Sequence, residues 1–247
     1  MATGRLDARE YFEGFDEPGR PATRDGFSWN FTAELSPISG WNDIIPGDGF
    51  AHLTVERRAL KRRPKGSASW PFQTLSVGPV TSNQRISIRA KNTAIPGVAC
   101  MLFTYREKTK VDEIDIEIVA DDTEGDDTGH RTDTGGGWTD VRLNTWANAD
   151  RASLEPARSV RMPIIDAEGE RVSHRDGKFH TYTIEWRPQA VRFYIDGVLQ
   201  KVIDDIVPDH PSTVIFGMRQ MPWAGRPEWS GSQTMMVDWI SIEPVSQ

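Results

Sequence analysis

Short runs of alternating apolar and polar residues recur along most of the chain, with turn residues between them. Alternation with a period of two indicates strands, and no window shows the long i, i+3, i+4 apolar pattern of an amphipathic helix. Asp196-Gly197 predicts a hairpin between Val191–Ile195 and Val198–Val202. The alternation predicts strands at 50–58, 72–78, 85–91, 98–105, 112–119, 140–146, 159–165, 179–186, 190–196, 213–220 and 234–243.

Strands this short and numerous are typical of an all-β fold, either a sandwich of two antiparallel sheets or a jelly roll. No stretch rich in proline, glycine or serine divides the chain like a linker. We therefore expect residues 1–247 to form one domain.

The segment Glu113-Ile-Asp-Ile-Glu117 alternates acids with isoleucines. On a strand, Glu113, Asp115 and Glu117 would lie on one face, and the isoleucines would lie on the other. The isoleucine face suits a core, whereas three ionised carboxylates in a row would repel one another. A fold gains no stability from that arrangement, so the acids are candidates for catalysis.

The spacing of the two glutamates favours one type of glycosidase chemistry. Residues i and i+4 on a strand have Cα atoms about 13 Å apart. If both side chains lean inward on a concave sheet, the carboxyl groups approach to about 5–6 Å, which is near the separation in retaining glycosidases. The spacing therefore favours double displacement.

Asp115 is too short to reach as far as the glutamates, so we expect it to share a hydrogen bond or a proton with one of them. Neighbouring like charges raise the pKa of a carboxyl group, and a general acid near neutral pH needs that elevation. A divalent metal held by the three carboxylates and a solvated acidic strand without a role are the alternatives.

The bulk composition excludes some classes of partner. The 247 residues carry a net charge of −7, which argues against a nucleic-acid partner because that needs a basic face. The one cysteine, Cys100, has apolar neighbours and is predicted to be buried. No stretch approaches the roughly 18 apolar residues of a membrane span, and Met1–Arg9 lacks the apolar run of a signal peptide.

Several motifs resemble glycoside hydrolase family 16 and, within it, the bacterial 1,3-1,4-β-glucanases (lichenases). The acid run has the regular form of the family signature, with one residue between Asp115 and Glu117. The other motifs that agree in order are Phe103-Thr-Tyr105, Asp140-Val-Arg-Leu-Asn144-Thr-Trp146, Lys178-Phe-His-Thr-Tyr182, Glu185-Trp186, Phe193-Tyr-Ile-Asp-Gly-Val198 and Val237-Asp-Trp239-Ile. The resemblance runs from about residue 85 to the end of the chain.

The resemblance implies a β-jelly roll with a concave substrate cleft, and endo-hydrolysis of a β-glucan with retention. It makes Glu113 the nucleophile, Asp115 the assisting acid and Glu117 the acid/base. The residues it implies along the cleft are Phe103, Tyr105, Asn144 and Trp146. It implies no cofactor for catalysis, but it makes Asp238 and the backbone near Gly49 candidate ligands of a structural calcium ion. We also expect a polysaccharide substrate, a secreted or periplasmic location, and a monomer.

The residues that select the glucan in lichenases differ in this chain. Val111 stands where lichenases have a tryptophan, and Gln73 and Thr74 fall near their charged sugar-binding pair. Arg219 stands near a lichenase Asn-x-Trp motif and is predicted to contact the substrate. Because indole rings pack against the apolar faces of sugars, three further tryptophans are predicted to face the cleft: Trp138, Trp223 and Trp229.

Several functions stay compatible with the sequence. The leading one is a retaining endo-β-glycanase that cuts mixed-linkage or 1,3-β-glucan. The basic run Arg57–Lys65 and Arg219 favour an acidic exopolysaccharide of the succinoglycan type as the substrate. A transglycosylase would pass the covalent intermediate to a sugar hydroxyl. A carbohydrate-binding lectin would bind without turnover, although a pure binder needs neither glutamate.

Overall fold

The computed structural model describes residues 10–34, 40–57, 71–93, 95–120, 139–150, 161–221, 224 and 229–245. These residues form one short helix, α1 (Trp41–Ile44), and fourteen strands. The strands are β1 (Tyr11–Glu13), β2 (Ser28–Glu34), β3 (Ala51–Glu56), β4 (Phe72–Val80), β5 (Gln84–Lys91), β6 (Val98–Glu107), β7 (Val111–Ala120), β8 (Thr139–Ala149), β9 (Arg161–Pro163), β10 (His180–Arg187), β11 (Ala190–Ile195), β12 (Val198–Ile203), β13 (Ser212–Gln220) and β14 (Ser232–Pro244). In this part of the chain no helix has the length and apolar character needed to cross a membrane.

The strands form two seven-stranded antiparallel sheets. The first sheet has the order β1-β14-β5-β10-β11-β12, and β3 also pairs with β14. The second sheet has the order β2-β4-β13-β6-β7-β8-β9. Sequential neighbours such as β6, β7 and β8 are joined as a meander, whereas β13 returns from the far end of the chain to lie between β4 and β6. The acid run of β7 therefore lies inside a sheet, with a paired strand on each side.

The predicted strands are confirmed by the structure. All eleven predicted segments contain an observed strand, and the predicted hairpin joins β11 to β12. The alternation of apolar and polar residues did not predict β1, β2 or α1. β1 has only three residues and α1 only four, which is too short for a periodic pattern to show.

The core lies between the two sheets and receives side chains from both. Ile116 and Phe216 of the second sheet share one cluster of buried residues with Ile184 and Val237 of the first. Cys100 is 1% exposed in this cluster, so its predicted burial is confirmed. The organisation of residues 1–247 as one domain stays a prediction.

The isoleucines of β7 hold the acid run in place. Ile114, Ile116 and Ile118 are at most 2% exposed and pack in the core. Burial of each such side chain is worth about 1.5–3 kcal/mol, and a one-residue slip of the strand would expose all three. The burial of these residues therefore turns Glu113, Asp115 and Glu117 toward the outer face of the second sheet, as the alternation predicts.

Gly217 allows β13 to pair closely with β4 in the sheet that carries the acid strand. Its φ is +154°, a conformation that L side chains rarely adopt. A Cβ on this residue would lie 2.2 Å from the carbonyl oxygen of Gln73 and 2.8 Å from the Cα of Thr74. Both contacts are with backbone atoms, so neither can be relieved by a rotamer change.

We expect Gly217→Ala to lower the free energy of unfolding by roughly 2 kcal/mol or more, because the new methyl group forces β4 and β13 apart. Gly40→Ala is the matched control, since Gly40 is extended at φ −160° and a Cβ there meets no atom within 4 Å. Urea unfolding of both variants is the measurement. Equal midpoints for the two would contradict this account of Gly217.

Candidate active site

The outer face of the second sheet carries the three acids in a row along β7. Asp115 is 6% exposed, and Glu113 and Glu117 are partly buried on either side of it. Across β8, the residues directly opposite the acids are Trp146, Asn144 and Arg142 in that order. Across β6, they are Tyr105, Phe103 and Met101. Each acid therefore has one neighbour on β6 and one on β8. These neighbours are aromatic beside Glu113, whereas Met101 and the cation Arg142 lie beside Glu117.

Asp115 is the centre of the hydrogen bonding in this row. Burial raises the pKa of Asp115 well above its usual range, and the charges of Glu113 and Glu117 raise it further. Its carboxyl group also shares a hydrogen bond with Glu113, which raises the pKa, and accepts one from the indole of Trp146, which lowers it. The raised pKa favours the protonated form of Asp115, which can donate in its hydrogen bond with Glu113.

Glu117 lies at the cationic end of the row. Burial raises the pKa of Glu117 from 4.5 to about 7, and the charge of Glu113 adds to this effect. The guanidinium groups of Arg142 and Arg219 act in the opposite direction and lower the pKa. A carboxyl group with a pKa near 7 can give up and take back a proton at neutral pH, which is what an acid/base catalyst requires.

Asn144 offers a hydrogen-bond donor to the site. The residue is 4% exposed and lies opposite Asp115 on β8. Among the described residues its amide Nδ2 has no hydrogen-bond acceptor. A buried donor without an acceptor costs about 1–3 kcal/mol, and a sugar hydroxyl bound at this face would supply the acceptor.

Phe103 and Tyr105 place aromatic rings on β6 beside Asp115 and Glu113. Their ring centroids are 6.4 Å apart in an edge-on arrangement, and both side chains are partly buried. The Tyr105 hydroxyl donates to Glu107 Oε2 at 2.5 Å, which fixes the ring. The structure therefore brings together seven predicted site residues, namely Glu113, Asp115, Glu117, Phe103, Tyr105, Asn144 and Trp146.

An apolar cluster that the sequence reading missed lies beside Glu117. The chain after β13 folds back, with Met221 N–H donating to Gly97 O at 3.0 Å and Gly97 N–H donating to Ala224 O at 2.7 Å. This turn packs against apolar side chains of β6 and β7. The members of the cluster are Ala99, Met101, Val119 and Ala224, with Phe103 and Met221 packed against them. The cluster thus reaches the acid row through Met101, which lies opposite Glu117, and no local sequence pattern indicates it.

A buried ion pair fixes the end of β7 next to Glu113. The sequence pattern did not predict this ion pair either. Asp112 is fully buried and accepts from Arg106 Nη1 at 2.8 Å and from the backbone N–H of Asn148 at 2.9 Å. His210 Nδ1 lies 3.1 Å from the same carboxylate. These contacts join β6, β8 and the segment before β13 at the point where the β7–β8 register shifts between Val111 and Glu113. Asp112 therefore helps to fix the position of Glu113.

The other predicted substrate contacts have different outcomes. Arg219 is partly buried and lies over the Phe72 ring at 5.7 Å. Its charge lowers the pKa of Glu117. Trp229 packs against the main core and donates from Nε1 to Pro96 O at 3.2 Å, so its contact with substrate stays a prediction. Trp138 and Trp223 lie outside the described residues.

The residues near the lichenase sugar-binding pair divide between the two faces of β4. Gln73 is fully buried and accepts from the backbone N–H of Thr54 on β3, so it lies on the core side. Thr74 is partly buried and lies opposite Gly217, on the face that carries the acids. Only the second of these positions can therefore contact a ligand bound at the acid row.

The predicted calcium ligand Asp238 already has a cationic partner. Its carboxylate forms an ion pair with the guanidinium of Arg89 on β5. A calcium ion bound by Asp238 and the backbone near Gly49 would have to share this carboxylate with Arg89. Calcium at this position stays a prediction.

Within the part of the chain that the structure describes, two groups of His and Asp side chains lie close enough to hold a metal ion. One consists of His174, His180 and Asp196, and the other of Asp112, Asp209 and His210. In the first group the two imidazole rings stack at 3.7 Å with their planes within 10°, so their in-plane lone pairs cannot converge on one ion. In the second group Asp112 is engaged by Arg106. Both groups are better described as hydrogen-bonded anchors of the fold.

Comparison with known proteins agrees with this geometry. A family model described as "Glycosyl hydrolases family 16" matches residues 80–241, which is more than half of the chain. A beta-glucanase of Bacillus subtilis is 27% identical over 148 residues, which cover 58% of this chain and 47% of that protein. The match thus spans about half the length of this relative.

Solved structures resemble the whole sandwich. A prokaryotic beta-1,3-1,4-glucanase (lichenase) derived from a mouse hindgut metagenome matches with a TM-score of 0.66 and 19% identity, covering 96% of this chain and 99% of that chain. The apo Crh5 transglycosylase matches with a TM-score of 0.62 and 20% identity, covering 98% and 86%. At these identities the likeness shows the fold alone, and the predicted jelly-roll sandwich is confirmed.

The two-sheet fold and the family match place the chain in a glycoside hydrolase family of the jelly-roll class. More narrowly, the chain belongs to glycosyl hydrolase family 16.

The raised pKa of Glu117 predicts how stability depends on pH. The folded state holds this proton up to about pH 7, whereas the unfolded state releases it near pH 4.5. The stabilisation is therefore complete below pH 4.5 and is lost as pH rises through about 7. We expect Glu117→Gln to gain stability relative to wild type between pH 5 and pH 8, by roughly 2 kcal/mol.

Urea unfolding of the wild type and Glu117→Gln at both pH values is the measurement. Glu17→Gln is the matched control, because Glu17 is exposed. A difference between Glu117→Gln and wild type that does not change with pH would show that Glu117 is ionised in the folded protein throughout this range.

Proposed function

We propose that this protein is a retaining endo-β-glucanase that hydrolyses β-1,3/1,4-linked glucan by double displacement. The observation that carries the proposal is the arrangement of the acids on β7, where Glu113 and Glu117 lie on one face of the sheet on either side of Asp115. Asp115 is hydrogen-bonded to Glu113, and burial raises the pKa of Glu117 to about 7. One glutamate is thus suited to attack and the other to transfer a proton.

In the first step a carboxylate oxygen of Glu113 attacks the anomeric carbon. The bond from that carbon to the glycosidic oxygen breaks, and Glu117 gives its proton to the departing oxygen. The product is a covalent glycosyl-enzyme ester on Glu113. The hydrogen bond from Asp115 orients the Glu113 carboxylate before attack and stabilises its charge when it leaves.

In the second step Glu117, now ionised, removes a proton from water. The resulting hydroxide equivalent attacks the anomeric carbon, and the ester bond to Glu113 breaks. Two inversions at one carbon return the original configuration. Arg142 and Arg219 assist the first step, because their charges stabilise the ionised Glu117 that remains when its proton has been given to the departing oxygen.

The surroundings of the acids suit a neutral sugar ring near Glu113. Trp146 and Tyr105 flank Glu113, and an aromatic face can pack against the apolar face of a pyranose. Asn144 Nδ2 offers a donor to a hydroxyl group of the same sugar. The name of the B. subtilis relative, beta-glucanase, supports a glucan as the polymer.

Three further properties stay predictions under this proposal. Export from the cytoplasm is expected because a polymeric glucan cannot enter the cell. A monomer is expected because the proposed site uses residues of one chain only. The Crh5 transglycosylase shares the fold, so transfer to a sugar hydroxyl instead of water is an outcome that the following test can reveal.

We expect Glu113→Gln to reduce turnover of mixed-linkage β-glucan by at least about 1,000-fold, because the amide cannot form the ester intermediate. Glu17→Gln, with an exposed side chain, should keep full activity. The measurement is release of reducing ends, with the anomer of the first product followed by NMR.

The β anomer should form first if configuration is retained. Initial release of the α anomer would contradict double displacement, and undiminished turnover by Glu113→Gln would contradict the nucleophile. Products longer than the substrate would assign the protein as a transglycosylase.

A further inference from the structure

The pairing of β7 with β8 is irregular next to the acid row. Glu113 pairs with Trp146, but the next pair joins a residue two positions before Glu113 to a residue three positions after Trp146. One residue of β7, Asp112, is therefore opposite two residues of β8, Ala147 and Asn148. An extra residue on one strand of an antiparallel pair is a β-bulge, which bends the strand and changes the direction of neighbouring side chains.

The backbone of this bulge has an uncommon conformation at Asn148. The φ of Asn148 is +49°, in the left-handed region that residues other than glycine rarely adopt, although asparagine does so more readily than most. Asn148 is exposed, so burial of its side chain contributes little to holding the bulge. A contact made by its backbone is therefore the feature that can fix this conformation.

Asp112 makes that contact with the backbone of the bulge. The N–H of Asn148 donates to Asp112 Oδ1 at 2.9 Å. The other oxygen, Oδ2, accepts from Arg106 Nη1 at 2.8 Å, and His210 Nδ1 lies 3.1 Å from it. Asp112 is fully buried, so its carboxylate has lost its hydration and needs donors at both oxygens. The bulge on β8 is one of these donors and the cation on β6 is another.

The bulge adjoins the residue that connects β8 with the acids. Trp146 comes two positions before Asn148 and lies opposite Glu113. Its indole donates to Asp115, which is in turn hydrogen-bonded to Glu113. Loss of the bulge would shift β8 by one position on one side of it, and such a shift turns a strand residue to the opposite face. The direction of the Trp146 side chain therefore depends on the bulge.

We propose that Asp112 is a positioning residue that acts on the reaction through this bulge. By holding the N–H of Asn148, Asp112 keeps the Trp146 indole directed at Asp115. Asp115 in turn orients the carboxylate of Glu113. Asp112 itself touches no reacting atom, because alternation along β7 places it on the face opposite to the acids. The inference rests on the proposed function for the role of Glu113, and its own content is the control of Trp146 by Asp112.

Asp112→Asn removes one of the two acceptors, because an amide offers one oxygen and one NH₂ group, so that one of its two donors would face another donor. We expect it to shift the NMR signal of the Trp146 indole N–H, which is identified by its loss in Trp146→Phe. We also expect kcat on mixed-linkage β-glucan to fall by about tenfold or more, with a smaller change in KM, because the acids are misplaced. Asp150→Asn is the matched control, since this exposed carboxylate pairs with Lys110 at the same end of β7 and β8.

Two substitutions at Asn148 test the same inference without changing the buried carboxylate. Asn148→Val disfavours the left-handed conformation, because a β-branched residue rarely adopts it, and should shift the Trp146 signal and lower kcat as Asp112→Asn does. Asn148→Gly is its matched control, because glycine adopts this conformation readily, and should behave as wild type. If Asp112→Asn does not fold, the comparison of the two Asn148 variants decides the question.

The two proposals fail in different ways. An unchanged Trp146 signal in Asp112→Asn and Asn148→Val, or an equal shift in Asp150→Asn, would overturn the positioning role. Wild-type kcat in Asp112→Asn and Asn148→Val would also overturn it and would leave the glucanase. A Trp146 signal that depends on Asp112 and on the Asn148 conformation, without hydrolysis of any glucan by the wild type, would keep the control of Trp146 and remove the proposed enzymatic function.

Discussion

The hydrogen bond between Asp115 and Glu113 is the interaction on which the rest of the site depends. Three ionised carboxylates within five residues of one strand would repel one another across a poorly hydrated face. Burial instead raises the pKa of the middle acid, Asp115, which favours its protonated form and a hydrogen bond to Glu113. The core isoleucines of β7 make this possible, because their burial prevents the strand from turning its acids toward bulk water.

The outer face of the second sheet has an aromatic end beside Glu113 and a cationic end beside Glu117, and the hydrogen bond between Asp115 and Glu113 lies between them. Trp146 connects the aromatic end of the face with the central acid, because it lies opposite Glu113 and its indole donates a hydrogen bond to Asp115. Beside Glu117, Met101 belongs to the apolar cluster that also contains Ala224 and is contacted by Met221. Burial is the largest cause of the raised pKa of Glu117, so the packing around this residue also sets its acidity.

Much of this could be predicted from local sequence, because a period of two assigns each residue of a strand to a face. Ile114 and Ile116 were thereby placed in the core, and Glu113 and Glu117 on the opposite face. The pairing of Arg142 with Arg161 could not be predicted, since it depends on the register of β8 and β9. Two other features could not be predicted for the same reason. Asp112 forms an ion pair with Arg106 across two paired strands, and Met221 packs over β6 only because β13 returns to lie next to β6.

The distribution of protons along β7 is the central claim, and NMR titration of labelled side-chain carboxyl carbons tests it most directly. The account predicts that Glu117 titrates near pH 7, that Asp115 titrates well above the ordinary range, and that Glu113→Gln lowers the pKa of Asp115. Titration of all three carboxyl groups below about pH 5, the ordinary range for exposed acids, would contradict it.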